Sequence, residues 1–232
     1  PRNISTAMMY AFAQRADCTV WDEPFYAWYL KTTGIEHPMG DEVIAAGNTD
    51  AGEIIAQCVD GAGNGRLSYQ KHMCQHMIDG LDRQWILKVT NAFLIRSPVR
   101  VLASYANKRE EVCLADVGFV QQGELFDMVA DHLGAAPPVI DCDLFLADPE
   151  GQLASLCARL GIAFDEKMLS WPAGPKPCDG VWAAHWYNAV WRSTGFATPP
   201  GSLPALEPRL AEIADAAMVH YEKLRRHAIG YC

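Results

Sequence analysis

Residues 88–108 read KVTNAFLIRSPVRVLASYANK, and the change of character at the middle of this stretch decides the fold. KVTNAFLI (88–95) is the clearest buried strand in the chain, and it ends at the Arg96-Ser97-Pro98 turn. Pro98 to Lys108 then reads as a helix with proline near its first turn, where the missing N–H costs nothing. A buried strand passed directly to a helix is the building unit of an α/β sheet. Arg96 then emerges at the ligand edge of that sheet, with Ser104 eight residues later, two turns along the helix. Taken by itself, a strand-end arginine is more often a salt-bridge partner.

The alternation continues on both sides. Ser5 to Arg15 (STAMMYAFAQR) carries apolar residues at helical spacing, with Ser5 or Thr6 near its start. CTVW (18–21) is a short strand, followed by Asp22-Glu23-Pro24 and an aromatic helix, FYAWYLKTT. Gly34 to Asn48 is loop-like, AGEIIAQCV is a short helix, RLSYQ (66–70) a strand and HMCQHMIDGL a helix. Downstream, DVGFVQQGELFDMVADHL (116–133) reads as one long amphipathic helix closed by Gly134. PPVIDC is a strand, and Asp148-Pro149 opens a helix that runs to Leu160 and stops at Gly161. Ser170 to Pro208 is rich in Trp, Pro and Gly without a strong period, and Pro208 to His227 is a final helix. Such alternation implies right-handed crossovers and a single α/β domain: three layers, α/β/α, around a mostly parallel central sheet. Ligands in such folds bind at the carboxyl ends of the strands.

Half of the 232 residues are hydrophobic (50%), enough for a sizeable core, which excludes a disordered chain. The formal charge of −9 argues against nucleic acid, polyanions or anionic membranes as partners. An anionic ligand would then need Arg and Lys placed singly inside an acidic envelope. The eight cysteines include no CxxC pair, as expected for reduced thiols of a cytoplasmic protein. No apolar run approaches the roughly 18 residues of a membrane span.

PRNISTAM (1–8) is a turn of small and polar residues feeding a helix, which offers free backbone N–H groups and a positive dipole end to a phosphate or sulfate. Arg2 adds a fixed cation, and Ser5 and Thr6 add hydroxyl donors beside Asn3 and Ile4. The Gly-Lys-Ser/Thr core of a Walker A loop is missing, so an NTPase is not indicated. The plain alternative is an ordinary helix start.

Together PRNISTAM and FLIRSPVRVLASY resemble the sulfotransferases that use 3′-phosphoadenosine 5′-phosphosulfate (PAPS). The wording is most similar to a bacterial group that begins PRN-x-ST and continues DEP-x-Y. The resemblance implies a P-loop-like sulfotransferase fold with a phosphosulfate loop at Arg2, Asn3, Ile4, Ser5 and Thr6, and a 3′-phosphate held by Arg96 and Ser104. SYQKHM resembles the strand-end Lys-x-His of the cytosolic enzymes, although Lys71 and His72 are adjacent here, 24 residues before Arg96. KPCDGVWAAHW resembles their Lys-Gly loop and Gly-x-Trp: Lys176, Gly180, Trp182 and His185 keep the spacings, while Pro177 replaces the usual Gly. If PRNISTAM is that loop, a short apolar strand is expected before Pro1, because its loss would leave buried backbone groups of its neighbours unpaired.

Sulfuryl transfer, like phosphoryl transfer, needs in-line positioning, charge neutralisation and a base for the acceptor. His72 is one candidate base, with an ordinary pKa of about 6.5. Glu23 is the other, by resemblance to bacterial carbohydrate sulfotransferases, and burial beside Trp21 and Phe25 would raise its pKa. Glu23 is preferred because it lies at a strand end facing the same edge; its plain alternative is a helix-start acid. Catalytic expectations are therefore Glu23, His72 and Lys71. His72 and His76 are spaced i, i+4, but without HExxH and a third ligand no metal site is read. Tyr26, Trp28, Tyr29, Trp182, Trp186 and Trp191 are acceptor-pocket or adenine-stacking candidates, though most such rings are core. The acceptor pocket is expected under the 34–66 and 170–205 loops.

The expected function is sulfuryl transfer from PAPS to a small-molecule acceptor, without metal, nucleic acid or membrane, and with a homodimer left open. The rivals are a kinase-like phosphotransferase, which would need magnesium and a P-loop lysine, and a silent ligand-binding relative.

Overall fold

Two pairs of parallel strands organise the chain, each in its own unit. The computed structural model describes residues 3–61, 63, 65–106 and 111–231. Arg2, expected in the phosphosulfate loop, lies outside the described residues, as does Lys108, the expected end of its helix.

The first unit comprises Ser5–Lys88 and Asp165–Phe196. Its helix Ser5–Ala13 buries Met8 to Phe12 in succession, so it is enclosed on every side. Strand β1 (Cys18–Asp22) pairs in parallel with β2 (Leu67–Lys71), from Cys18 opposite Leu67 to Asp22 opposite Lys71. Parallel neighbours need a crossover, and helices Tyr26–Thr33, Gly40–Ala46 and Ala51–Asp60 supply it. Gly34 ends the first of these in a left-handed conformation (φ 65°) that a side chain would strain. Asp50 caps the third by accepting from the Glu53 N–H at 3.0 Å. The short helices Ala183–Trp186 and Asn188–Trp191 complete the unit, and Trp182, Ala183 and Tyr187 pack with Tyr26, Tyr29 and Val43.

The second unit comprises residues 3–4, Val89–Phe164 and residues 197–231. Strand β3 (Phe93–Ile95) pairs in parallel with β4 (Val139–Asp141), and β4 is buried throughout. Helices Pro98–Ala106, Phe119–Leu133, Cys142–Ala147, Pro149–Arg159 and Pro208–Arg225 surround the pair. Asp141 ends β4 and caps the next helix, accepting from the N–H groups of Asp143 (2.9 Å) and Leu144 (3.2 Å). Tyr221 of the last helix donates to its other oxygen at 2.6 Å.

The α/β class and the parallel pairing agree with the sequence, and several elements differ in extent. Gly40–Ala46 is a helix inside the stretch read as loop, because Val43 is buried in the aromatic cluster. The expected helix 72–81 shrinks to a single 3₁₀ turn at Cys74–His76. The strand read from 88 begins only at Phe93, after a 3₁₀ segment at Gln84–Lys88. Gly118, at φ 67°, splits the helix read over 116–133 into Leu114–Val117 and Phe119–Leu133. Cys142–Ala147 is an extra helix.

Candidate functional site

The carboxyl ends of β1 and β2 carry a buried charge cluster. Lys71 Nζ donates to Asp22 Oδ1 at 2.7 Å, to Glu23 Oε1 at 2.6 Å and to the Tyr187 hydroxyl at 2.6 Å. All three ammonium hydrogens are thereby used. The Lys71 and Asp22 side chains are only 3% and 2% exposed, so the pair is dry. Asp22 and Lys71 meet because they are register partners at the ends of five-residue strands. Glu23 is the next residue, and in a regular strand its side chain would leave on the opposite face. Its φ of +43° turns it back toward the same ammonium, a conformation that costs on the order of 1–3 kcal/mol for a residue with a side chain. The Glu23 N–H still bonds to Lys71 O at 2.9 Å, so the strand pairing runs into the turn.

The electrostatics follow from two carboxylates sharing one ammonium. Burial pulls Lys71 down, but Asp22, Glu23 and the Tyr187 phenol outweigh it and hold the ammonium well above its ordinary pKa. Burial also pushes the Glu23 carboxyl up against the pull of Lys71, and neighbouring Asp22 adds to the rise. Among the described residues no hydrogen bond reaches the second Glu23 oxygen, the one polar group of this cluster left to meet a proton donor.

The 176–187 segment closes over the cluster. Tyr187 donates to Asp22 Oδ2 at 2.7 Å and accepts from Trp182 Nε1 at 3.2 Å. The Gly180 N–H points at the same Asp22 oxygen at 3.4 Å. Trp182 folds back so closely that a Cβ on Gly180 would stand 2.2 Å from its ring, which explains the Gly-x-Trp spacing. Asp179 ties the preceding turn: it accepts from the Lys176 N–H (2.8 Å), Trp191 Nε1 (2.8 Å) and the Tyr10 hydroxyl (2.7 Å). Lys176 Nζ lies over the Tyr10 ring, 5.3 Å from its centre, and donates to Gly174 O.

His72 stands apart from this network. Its ring neighbours Phe25 (5.9 Å between centroids) and Trp85 (5.2 Å), Nε2 meets Gln70 Oε1 at 3.1 Å, and Nδ1 has no partner among the described residues. Burial lowers its pKa to about 4. His76 is sandwiched between Tyr26 (4.9 Å) and Tyr29 (4.7 Å), so those two rings are packing partners. Trp28 lies edge-on to Phe25, and Trp186 beside His37 and His185.

In the second unit Asn3 donates to Leu94 O at 3.3 Å, next to the end of β3. Ile4 and Arg96 both neighbour the Cys142 thiol, which burial pushes up to about 12 against their opposing influence. Ser104 is half-buried on the Pro98–Ala106 helix, and Ser5 and Thr6 open the first helix of the other unit. Sequence reasoning missed Asp22, Tyr187 and Asp179. Asp22 was accessible through the opposite charges at the ends of CTVWD and LSYQK, whereas Tyr187 lies in a segment without a period.

The chain is thus an α/β protein with a buried charge cluster at the carboxyl end of a parallel strand pair, where such folds bind ligands. It belongs to the sulfotransferase domain family, whose model matches residues 1–228. It is 38% identical over 232 residues to the branched-chain-amino-acid aminotransferase-like protein 1 of Arabidopsis thaliana, covering 98% of this chain and 40% of that protein. The Arabidopsis protein 2 of the same name is 36% identical over 217 residues, 91% of this chain and 38% of its own length. The chain therefore spans about two fifths of the curated relatives it matches. Among solved structures it is similar to the sulfotransferase domain from the curacin biosynthetic pathway (TM-score 0.50, 13% identity, 94% of each chain). It is likewise similar to the sulfotransferase domain from the Synechococcus PCC 7002 olefin synthase (TM-score 0.50, 16% identity, 93% and 90% covered). Both likenesses concern the fold. Among the described residues no helix is long and apolar enough to cross a membrane.

Proposed function

We propose that the chain is a cytoplasmic PAPS-dependent sulfotransferase acting on a small-molecule acceptor, with Glu23 as general base. The observation that carries this reading is the Lys71 ammonium, saturated by Asp22, Glu23 and Tyr187, which fixes Glu23 at a strand end with one oxygen unengaged among the described residues. Glu23 Oε2 takes the acceptor proton, and burial raises its proton affinity above that of an ordinary carboxylate, which strengthens it as a proton acceptor. Lys71 has no hydrogen left for a ligand, so its role is to hold Glu23. His72 is the weaker candidate, because burial leaves it a poor proton acceptor.

Donor chemistry in the second unit fits an anionic nucleotide: Arg96 and Ser104 carry charge and hydroxyl donors for a 3′-phosphate. Asn3, Ile4, Ser5 and Thr6 offer donors at a helix start for a phosphosulfate. Lys176, Gly180 and Trp182 form a turn whose shape is set by Asp179 and by the Trp182 ring. When bound, PAPS supplies an electrophilic sulfuryl group whose leaving group is adenosine 3′,5′-bisphosphate.

The test is turnover of labelled PAPS with a pool of small metabolites. Wild type should transfer label, Glu23→Gln should lose roughly 10²–10⁴-fold in turnover, and His72→Gln should retain most of it. Near-full turnover in Glu23→Gln would remove it as the base. No transfer by wild type, with nucleotide still bound, would favour a silent relative.

A further inference from the structure

The geometry points to Tyr187 and Asp22 as positioning residues that act through Lys71 to set how tightly Glu23 holds a proton. The inference deepens the reading of Glu23 as the base and rests on it for its functional meaning. Neither residue touches the unengaged oxygen of Glu23. What they touch is the ammonium that Glu23 shares. Asp22 Oδ1 competes with Glu23 Oε1 for Lys71, at 2.7 and 2.6 Å. Tyr187 relieves that competition from both sides. Its hydroxyl accepts the third Lys71 hydrogen at 2.6 Å, and its own proton goes to Asp22 Oδ2 at 2.7 Å, balancing part of the Asp22 charge. Trp182 Nε1, at 3.2 Å, fills the remaining lone pair and orients the hydroxyl so that its proton faces Asp22.

With both acids ionised, the cluster holds two negative charges and one positive, in a buried place where charge is weakly screened. Any charge that Asp22 loses therefore strengthens the hold of Lys71 on ionised Glu23, and any donor that Asp22 loses weakens it. Among the described residues, the phenols, thiol and imidazoles around the cluster favour their neutral forms. Burial raises the Tyr69 and Tyr187 phenols, pushes the Cys178 thiol up to about 11, and takes His72 to about 4 and His76 well below its ordinary value. Asp179, the next acid along the chain, is engaged by Tyr10, Trp191 and the Lys176 backbone.

Two substitutions then act in opposite directions. Asp22→Asn leaves Glu23 as the sole carboxylate partner of Lys71 and lowers its proton affinity. Tyr187→Phe strips Asp22 of its strongest remaining donor, draws Lys71 toward Asp22 and raises it. Each change is expected to move the Glu23 titration by about half to one pH unit. The measurement is the ¹³C shift of the Glu23 carboxyl against pH in the full chain, assigned by its absence in Glu23→Gln. Opposite displacements support the inference. An unmoved Glu23, or displacement of both variants in one direction as a loosened core would give, overturns it. If Tyr187→Phe does not fold, the sign of the Asp22→Asn shift decides, a rise being contrary. Full sulfuryl transfer by Glu23→Gln would remove Glu23 as base while leaving the titration result intact, so the two failures are separable.

Discussion

His72 and Glu23 follow the ends of paired strands, yet their surroundings give them opposite chemistry. Glu23 is held by an ammonium and, among the described residues, keeps an open oxygen; His72 sits among Phe25 and Trp85 with an Nδ1 that finds no partner among them. The histidine has a consequence for stability. Its folded-state pKa of about 4 lies below the ordinary 6.5, so the unfolded chain binds the proton more tightly between those values. Stability should therefore fall as pH drops from 6.5 to about 4, and the fall should be shallower in His72→Gln, read as urea midpoints. The raised Glu23 pKa works in the opposite sense, equally in both proteins. An identical slope in the variant would contradict a buried neutral His72. At this scale the sequence drew attention to Glu23 through its resemblance and strand-end position, and to Lys71 through its resemblance alone. It hid the Tyr187 partnership, which joins Lys71 to a residue 116 positions away.

Short elements govern how these side chains are aimed. The Gly180–Trp182 fold-back brings the indole N–H to Tyr187, and its close approach leaves no space for even one methyl. Gly180→Ala should cost about 1–3 kcal/mol by overpacking, measured by chemical denaturation, with altered tryptophan fluorescence. Unchanged stability and fluorescence would mean that Trp182 is not packed on Gly180. The elements least legible in sequence are those made by tertiary contact. Gly40–Ala46 has only seven residues and one buried anchor, Val43, so no period could announce it. His76 lies in a 3₁₀ turn because Tyr26 and Tyr29 clasp its ring, where local pattern suggested a helix. Conversely, the helix Tyr26–Thr33 was readable from its aromatic run and Gly34, and Pro149–Arg159 from its Asp-Pro start.

At the scale of the whole molecule, an acidic chain of net charge −9 belongs to a family whose proposed donor is itself a polyanion. The reconciliation proposed is local: Arg96 follows the end of β3 and Lys176 lies in the turn held by Asp179, each a cation placed singly along the chain. The α/β class was readable from alternating strands and helices, and the parallel pairing followed from it. Strand lengths were not, since β3 and β4 are three residues each and their ends are set by neighbours outside any local window. The most direct test is a calorimetric titration of wild type and Arg96→Ala with adenosine 3′,5′-bisphosphate, with ATP and magnesium as the comparison. Wild type should bind the bisphosphate in preference to ATP and magnesium, and Arg96→Ala should weaken that binding by about 1.5–3 kcal/mol. Preference for ATP with magnesium, or unchanged bisphosphate affinity in Arg96→Ala, would contradict the assignment.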